Sequence, residues 1–419
     1  MKSKVLMVLI CFTLTLSMVL GILAGCTAPA TPKPTTPGAT TKAPTTTAPG
    51  ATTKAPTTSA PAPTKAGEVI KWKFQSGSSA GDASWWMQKE FCEEIKKASG
   101  GRLLLELFPA GAIVSRMEIL DAVSAGSVEA GMNNDNDWEG KDVEFAIGCI
   151  PAGMEHPVQL CWFFFRNHEN QLKYGEETVS PGNKLFDKLF AQYNIKAFPY
   201  TGTREVNYMA NKKLVKPADY KGTTFRASAW EQHCIVEFGG KPVTMPSSDV
   251  YSALQTGVID ATQVGGASGN VVSGYDAITK YWGFPGMHNL GQSNHFMVNL
   301  DVWKKLPADL QEIFILATEH YYLINMAFMD VMDARMIPQL PGKGINLVYL
   351  SPEQQMNWRN AMLKTGANVY CTSDKEFKQN WDEALKFQYM MDAYFDLQHP
   401  QYDTTYPGKK ETLKGFIWQ

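Results

Sequence analysis

The alternation of hydrophobic and polar positions after residue 66 predicts strands and helices in regular succession. Ile70, Trp72 and Phe74 alternate with lysines, which is the period of a strand with one buried face. The next segment, 84–99, has apolar residues at helical spacing and ends at two glycines. Strands are then predicted at 102–108 and 128–132, with a helix between them that opens on a Ser115–Glu118 capping box. This β-α-β-α-β order predicts a parallel sheet covered by helices.

The middle of the chain repeats the same pattern and predicts a second α/β unit. Its predicted elements are strands at 195–198, 223–227 and 258–262, and helices at 230–238 and 248–256. A long helix is then predicted after Leu306-Pro307, where proline occupies the first turn. The fold class expected from these patterns is α/β, with two lobes.

The N-terminus has the order of a secretory signal sequence. Two lysines precede an apolar run from Val5 to Ala24, and small residues precede Cys26. The sequence Leu23-Ala24-Gly25-Cys26 resembles the signal of bacterial lipoproteins, in which the cysteine is lipidated and becomes the new N-terminus. An uncleaved transmembrane anchor is the alternative, because the run is long enough to span a bilayer. Both interpretations place the rest of the chain outside the cytoplasmic membrane.

Residues 26–66 are almost entirely Thr, Pro, Ala, Gly and Lys. A decapeptide at 37–46 recurs at 49–58, as low-complexity duplication. Such a composition cannot bury enough apolar surface to fold, so we expect a disordered linker between the membrane and a folded part of about 350 residues. No apolar run after Ala66 is long enough to span a membrane.

Charge and cysteine content exclude several classes of function. Six of the 39 basic residues lie in the leader and linker, which leaves 33 against 41 acidic residues and argues against a nucleic-acid partner. The cysteines show no zinc-site spacing; they fit free thiols or one disulfide, with Cys149 and Cys161 the closest pair after the linker. No nucleophile elbow, phosphate-binding loop or HExxH motif occurs, so we expect neither an enzyme nor a cofactor.

Several segments together resemble the solute-binding subunits of TRAP (tripartite ATP-independent periplasmic) transporters. In order they are Gly100-Gly101-Arg102 with Phe108-Pro109-Ala110-Gly111, the stretch 118–129, the stretch 219–226, Gly239 to Val243 with 250–261, and Asn299 to Gln311. The resemblance covers about residues 68 to 330. It implies a two-lobed periplasmic-binding-protein-like clamshell with a long helix bracing both lobes. It also implies that a small organic acid is bound between the lobes and passed to a membrane permease.

The resemblance and the strand pattern together set the expected domains. They are the signal peptide at 1–25, the linker at 26–66, lobe I at 67–199, lobe II at 200–290, a crossover segment and bracing helices at 291–390, and a C-terminal tail at 391–419.

The binding residues are also expected from the resemblance. In the family, the arginine at the position of Arg226 contributes to carboxylate binding, and a guanidinium suits that role because it meets a carboxylate with two parallel donors. Arg204 resembles a second family arginine, but its spacing is slightly off, and an interlobe salt bridge is the alternative. Trp230 follows Arg226 and either walls the pocket or packs in the core.

The chain departs from the family pattern where keto-acid-binding members hold a cation. Those members have Glu-Trp after the strand matching 258–262, whereas this chain has Gln263-Val264, and Val206 stands at the place of a glutamine ligand. A hard cation requires several oxygen ligands, so we expect no bridging metal. Gln263 and, more weakly, Asn270 are expected to hydrogen-bond the ligand. The identity of the solute stays open.

Loops after the strands of the first lobe should face the ligand. They nominate Asn134 and Asp135, with Trp138 either stacking on the ligand or packing. The acidic run after Asn134 resembles the start of a calcium loop, but Ala146 stands where its closing glutamate would be, which favours a solvated turn.

The expected function is therefore capture of a small carboxylate outside the cytoplasmic membrane and delivery to TRAP permease subunits, with an N-terminal lipid as membrane anchor. A ligand-binding receptor for a sensory kinase is the first alternative. An extracellular hydrolase is the second, and it would need acidic groups or a nucleophile in the cleft.

Overall fold

The structure is a computed structural model, and it describes residues 68–81, 83–148, 173–174, 177–178, 181–203, 207–227, 230–245, 247–286, 292–398 and 416–417. The expected signal peptide, the lipidation site Cys26, the linker, the Cys149–Cys161 pair and Arg204 lie outside these residues. Cys92, Cys234 and Cys371 are free thiols.

The described strands form two larger sheets and one two-stranded ribbon. Their bounds are β1 Ile70–Ser76, β2 Leu103–Phe108, β3 Ala130–Asn134, β4 Lys173–Tyr174, β5 Glu177–Thr178, β6 Ile195–Thr203, β7 Tyr208–Ala210, β8 Thr224–Arg226, β9 Lys241–Val243, β10 Ala261–Gln263, β11 Tyr281–Phe284, β12 Gln292–Asn299, β13 Asn346–Tyr349 and β14 Phe416–Ile417. Sheet I has the order β2-β1-β3-β12-β6, and sheet II has the order β14-β13-β11-β7-β10-β8-β9.

The described α-helices alternate with these strands. Their bounds are α1 Ala83–Ala98, α2 Ile119–Ser124, α3 Pro181–Ala191, α4 Trp230–Glu237, α5 Ser247–Thr256, α6 Ala267–Val272, α7 Leu300–Lys305, α8 Ala308–Met336, α9 Pro352–Thr365, α10 Cys371–Ser373 and α11 Lys375–Gln398. Within the described ranges, none of them combines the length and the apolar character that a bilayer-spanning helix needs.

Sheet I is built as the hydrophobic alternation predicts. Trp72 and Phe74 are buried, and β1 pairs in parallel with both β2 and β3. The third strand begins two residues later than predicted, because the amides of Ser127 and Val128 both donate to the carbonyl of Ala122 and so continue the turn after α2. Strands β12 and β6 complete the sheet, β12 lying antiparallel to both of its neighbours.

The long helix α8 contacts both halves of the molecule. Its buried residues Leu310, Phe314 and Tyr321 belong to the core under sheet I, together with Phe91 of α1. Nearer its C-terminal end, the carboxylate of Asp333 accepts from the amide of Ser268 in α6, beside sheet II, at 2.7 Å. The α/β fold with a helix that braces both lobes is thus confirmed.

The expected crossover segment 291–390 also contributes strands to both sheets. Strand β12 lies inside sheet I, and β13 pairs with β11 at the other end of the segment, in sheet II. In the expected tail, α11 extends to Gln398, and β14 pairs with β13. The lobe limits drawn from the sequence remain predictions.

Candidate functional site

Polar side chains gather at one edge of each sheet. In sheet II the parallel strands β8 and β10 both end there, at Arg226 and Gln263. In sheet I the parallel strands β1 and β3 end at Ser76 and Asn134. In open α/β sheets ligands bind outside the carboxyl ends of the strands, so these two edges form the candidate site.

Arg226 is held in place by backbone carbonyl groups. Its Nη1 donates to the carbonyl of Gln263 at 3.1 Å, while its Nε and Nη2 donate to the carbonyl of Met245 at 3.4 and 3.3 Å. A guanidinium has five N–H groups, so these bonds leave one N–H on each terminal nitrogen. Two donors are the number that a carboxylate accepts in a bidentate pair.

The charges around Arg226 come from both lobes. Burial lowers the pKa of the guanidinium, and the carboxylate of Glu231 opposes this shift. Arg116, which precedes α2 in the first lobe, lowers the pKa of Arg226 further, and Asp137 raises it. Arg226 is therefore within electrostatic range of an Arg116–Asp137 ion pair, which joins Nε and Oδ2 at 2.5 Å.

A second set of polar contacts surrounds Arg226 in sheet II. The buried side chains of Glu231 and Gln263 are joined by a 2.9 Å hydrogen bond from Nε2 of Gln263 to Oε2 of Glu231. The amide nitrogen of Asn270 donates to Oδ1 of Asn207 at 3.1 Å and to the carbonyl of Gly265 at 2.7 Å. Gln263 thus lies directly beside Arg226, whereas the described bonds of Asn270 go to neighbouring protein groups.

At the edge of sheet I, Asp135 is buried against His295. Nδ1 of His295 lies 2.7 Å from Oδ2 of Asp135, and both side chains are buried. Burial raises the pKa of Asp135, and the charge of His295 and its hydrogen bond oppose that shift. Asn134, one residue earlier, is half-buried at the end of β3.

Trp230 and Trp138 are both packed in the core. The indole of Trp230 stacks on Trp381 at 4.9 Å between ring centroids and 14° between planes, and its Nε1 donates to the carbonyl of Ala146 at 2.7 Å. Nε1 of Trp138 donates to the carbonyl of Met117 at 3.0 Å. For both residues the structure shows packing, which was the alternative to a pocket wall for Trp230 and to stacking on the ligand for Trp138.

Four residues of this region were not nominated from the sequence: Arg116, Asp137, Glu231 and His295. Arg116 and Asp137 are far apart in sequence and meet through the fold. Glu231 carried a detectable signal, because a helical acid five residues after Arg226 can reach back to the same sheet edge. Arg204 lies outside the described residues.

The described residues hold no group of three or more His, Cys, Asp and Glu side chains arranged for a metal ion. Around Arg226 the carboxylate of Glu231 accepts from Gln263, and the carbonyls of Gln263 and Met245 accept from the guanidinium. A hard cation requires about six or more oxygen ligands. The described carboxylate and carbonyl oxygens next to Arg226 are fewer than that.

The chain is similar to known solute-binding proteins. Residues 78–372 match the family described as bacterial extracellular solute-binding protein, family 7. The monocarboxylate 2-oxoacid-binding periplasmic protein of Nostoc sp. is 24% identical over 339 residues, which are 80% of this chain and 88% of that protein.

Solved structures show the same fold. A TRAP periplasmic solute-binding protein from Pseudoalteromonas atlantica, with bound sodium and pyruvate, superposes with a TM-score of 0.71 at 22% identity, over 81% of this chain and 100% of that one. One from Colwellia psychrerythraea, with bound calcium and pyruvate, has a TM-score of 0.71 at 21% identity, over 80% and 99% of the two chains.

Proposed function

The chain belongs to bacterial extracellular solute-binding protein family 7, the solute-binding subunits of TRAP transporters, and from this premise we propose that it captures a small organic acid through Arg226. Family membership identifies a transport receptor rather than an enzyme and favours transport over sensing and hydrolysis. The observation that carries the proposal is the guanidinium of Arg226, tied to two carbonyls yet keeping one N–H on each terminal nitrogen.

The preferred ligand class is a short carboxylate with a further polar oxygen. The Nostoc relative is described as binding monocarboxylate 2-oxoacids, and the two structural neighbours hold pyruvate. In this chain the backbone carbonyl of Gln263 accepts from Arg226 and its Nε2 donates to Glu231, and we propose that the second N–H of this side-chain amide contacts such an oxygen. Arg226 takes the carboxylate, and Gln263 and Arg204 are the further contacts we propose in lobe II.

We propose that the first lobe provides the remaining contacts to the ligand. Asn134 ends β3 and Asp135 follows it, and the Arg116–Asp137 pair acts electrostatically on Arg226. We place Asn134 nearest the ligand, because it is half-buried, and assign Asp135 to holding the sheet edge, because its carboxylate faces His295. Asn270 supports the second lobe through Asn207, and Trp138 and Trp230 support the site from the core.

The sodium and calcium ions of the two neighbours show that proteins of this fold bind an acid together with a cation. This chain has Gln263-Val264 and Val206 where the keto-acid-binding members that it resembles have their cation ligands, so we propose that protein donors alone bind the acid here. Titrations with added calcium, with added sodium and with a chelator should give the same affinity. Binding that is lost with the chelator would contradict this part of the proposal.

Isothermal titration calorimetry on the purified full chain tests the role of Arg226, with a panel of 2-oxo acids, hydroxy acids and C4-dicarboxylates. Leaving one partner of a buried charge pair alone costs about 2–5 kcal/mol, so Arg226→Ala should weaken binding of the selected acid about 30-fold or more. Arg102→Ala, which removes an ion pair to Asp309, is the matched control and should bind normally. Equal affinity of Arg226→Ala and wild type would refute the assignment.

We further propose that a lipid on Cys26 anchors the receptor near its permease. The order of charged, apolar and small residues before Cys26 supports this. Cys26→Ser should release the protein from the membrane fraction of cells that produce it, while Cys371→Ser should not. Retention of the Cys26→Ser protein would instead favour an uncleaved transmembrane anchor.

A further inference from the structure

The ion pair between Arg116 and Asp137 is built into the edge of sheet I. Arg116 lies in the short helical turn before α2, and Asp137 lies in the one that follows β3. Nε of Arg116 donates to Oδ2 of Asp137 at 2.5 Å. Nδ2 of Asn133, a buried residue of β3, donates to the same oxygen at 2.8 Å and to the backbone carbonyl of Arg116 at 3.1 Å. One buried amide group therefore fixes both partners of the ion pair relative to the sheet.

Asn133 is itself held by the loop that follows β1. A Cβ at Gly77 would lie 2.3 Å from Oδ1 of Asn133, so only glycine lets the loop approach this closely. The amide of Gly77 also donates to the carbonyl of Met132 at 2.9 Å. The side chains of Arg116 and Asp137 are 34% and 17% exposed. The ion pair is thus held rigidly and is partly shielded from solvent, where charges are screened less than on an open surface.

The segment that carries Asp137 lies against the second lobe near Arg226. Trp230, at the start of α4 and shortly after Arg226, donates from Nε1 to the carbonyl of Ala146 at 2.7 Å. Ala146 and Asp137 belong to the same segment after β3. The charges agree with this geometry, because Arg116 lowers and Asp137 raises the pKa of Arg226, after the larger effects of burial and of a neighbouring carboxylate.

This arrangement places a negative charge opposite the arginine that takes the acid. Arg226 binds the first carboxylate from the side of sheet II, so the far end of a longer acid points toward the edge of sheet I. There the carboxylate of Asp137 repels a second negative charge and engages Arg116, which would otherwise attract that charge. A repulsive charge aimed at the wrong ligand is a common source of specificity.

We propose that Asp137 is a specificity-determining residue, which makes the site select acids with one carboxylate against acids with two. Arg116 is its partner, and Asn133 positions both. The inference rests on the proposed function and deepens it, because it requires an acid bound through Arg226. A merely structural role of the ion pair would weaken the binding of all acids by the same factor, whereas a charge effect changes the ratio between them.

Isothermal titration calorimetry of the full chain with two acids of equal length tests the selection. 2-Oxopentanoate and 2-oxopentanedioate differ only in one terminal carboxylate, and both are ionised at neutral pH. The wild type should bind the monocarboxylate about tenfold more tightly or better. The dicarboxylate affinity comes from displacement of the monocarboxylate where its own heat is small. Asp137→Asn, which keeps the shape of the side chain, should move the ratio about tenfold toward the dicarboxylate.

Two further variants assign the effect to the ion pair. Arg116→Gln leaves Asp137 without its partner and should weaken the dicarboxylate more than the monocarboxylate, which moves the ratio the opposite way. The double variant removes both charges and should return the ratio to within about threefold of wild type. Asp121→Asn, which removes an exposed acid paired with Lys141 in the same lobe, is the matched control and should leave the ratio unchanged.

Three results would overturn the proposal. They are a wild type that binds the dicarboxylate as tightly as the monocarboxylate, an Asp137→Asn protein that loses affinity for both acids by the same factor, and a ratio that Arg116→Gln moves toward the dicarboxylate. The last result decides the question even if Asp137→Asn does not fold. If Arg226→Ala binds as tightly as wild type, the proposed function itself fails; intact binding with an unchanged ratio removes only the role of Asp137.

Discussion

His295 and Asp135 join two strands of sheet I at the edge that faces the candidate site, with Nδ1 and Oδ2 separated by 2.7 Å. His295 lies in β12, which returns from the second sheet, and Asp135 follows β3. The imidazole also stacks on Phe186 with 4.7 Å between ring centroids. The pair thus fixes the end of β3, where Asn134 lies, relative to a strand from a distant part of the chain.

The Asp135–His295 contact predicts how the free energy of unfolding depends on pH. Burial raises the pKa of Asp135, so the folded state binds a proton more readily than the unfolded state. The contribution of Asp135 is then fully present below an unfolded pKa of about 4, and it is lost as pH rises through the folded pKa. Asp135→Asn removes this dependence. Between about pH 4 and 7, the free energy of unfolding of wild type should therefore fall relative to that of Asp135→Asn.

Urea unfolding of both proteins at a series of pH values measures the difference. Asp121→Asn is the control, because its carboxylate is exposed and paired with Lys141 on the surface, and its profile should follow wild type. A difference between wild type and Asp135→Asn that rises with pH would mean that His295 outweighs burial.

The position of Trp230 predicts a loss of stability rather than of affinity. Trp230→Phe keeps an aromatic ring against Trp381 but leaves the carbonyl of Ala146 without its donor, which costs about 1–3 kcal/mol. Trp230→Ala should cost about 3–5 kcal/mol. The exposed Trp86→Phe serves as control and should be near neutral. If Trp230→Phe unfolds like wild type but binds the acid more weakly, Trp230 is a pocket wall after all.

The hydrogen bond between Asp333 of α8 and Ser268 of the second lobe lies next to Gly266, where no side chain is present. A Cβ at Gly266 would lie 2.5 Å from Oδ2 of Asp333, the residue whose carboxylate accepts from Ser268. Its φ of −66° is one that alanine adopts, but Gly266 is the N-cap of α6, where alanine is disfavoured. The close contact and the poorer cap together should make Gly266→Ala destabilising by about 1–3 kcal/mol. Gly269→Ala in the same helix meets nothing within 4 Å and should be neutral or stabilising. Thermal unfolding of the two variants compares them directly, and equal midpoints would contradict the contact.

Local patterns in the sequence were sufficient for the first β-α-β-α-β unit, for three strands and two helices of the middle segment, and for α8. Hydrophobic alternation marked Trp72 and Phe74, the capping residues Ser115 and Glu118 marked the start of a helix, and Pro307 marked the start of α8. These signals act between neighbours in the chain, so a single sequence contains them. Strand β12 was not predicted, because Asn294 and His295 interrupt its apolar alternation and become buried only through pairing with β3.

The site was harder to predict, because its contacts join distant residues. Arg226 was nominated through family resemblance, and the structure adds the two carbonyls that hold it. Arg116 and Asp137 affect Arg226 only once the lobes are folded together, and no local spacing reveals that relationship. Gln263 was identified because it departs from the family pattern. In the structure its side chain donates a hydrogen bond to Glu231, which a glutamate at this position would not do.

That contact leads to a prediction about Gln263→Glu. The substitution replaces a donor 2.9 Å from Oε2 of Glu231 with a second carboxylate in a buried place. Two carboxylates so close cannot both ionise easily, so one of them should have a raised pKa. The folded variant then binds an extra proton, and its stability, close to that of wild type at low pH, should fall as pH rises toward 8. Gln263→Leu loses the same donor without adding a charge, so its deficit should grow less between pH 5 and 8 than that of Gln263→Glu. Urea unfolding at these two pH values distinguishes the variants. A constant deficit for Gln263→Glu would show that Glu231 and residue 263 separate in solution, and it would remove Glu231 from the surroundings of Arg226.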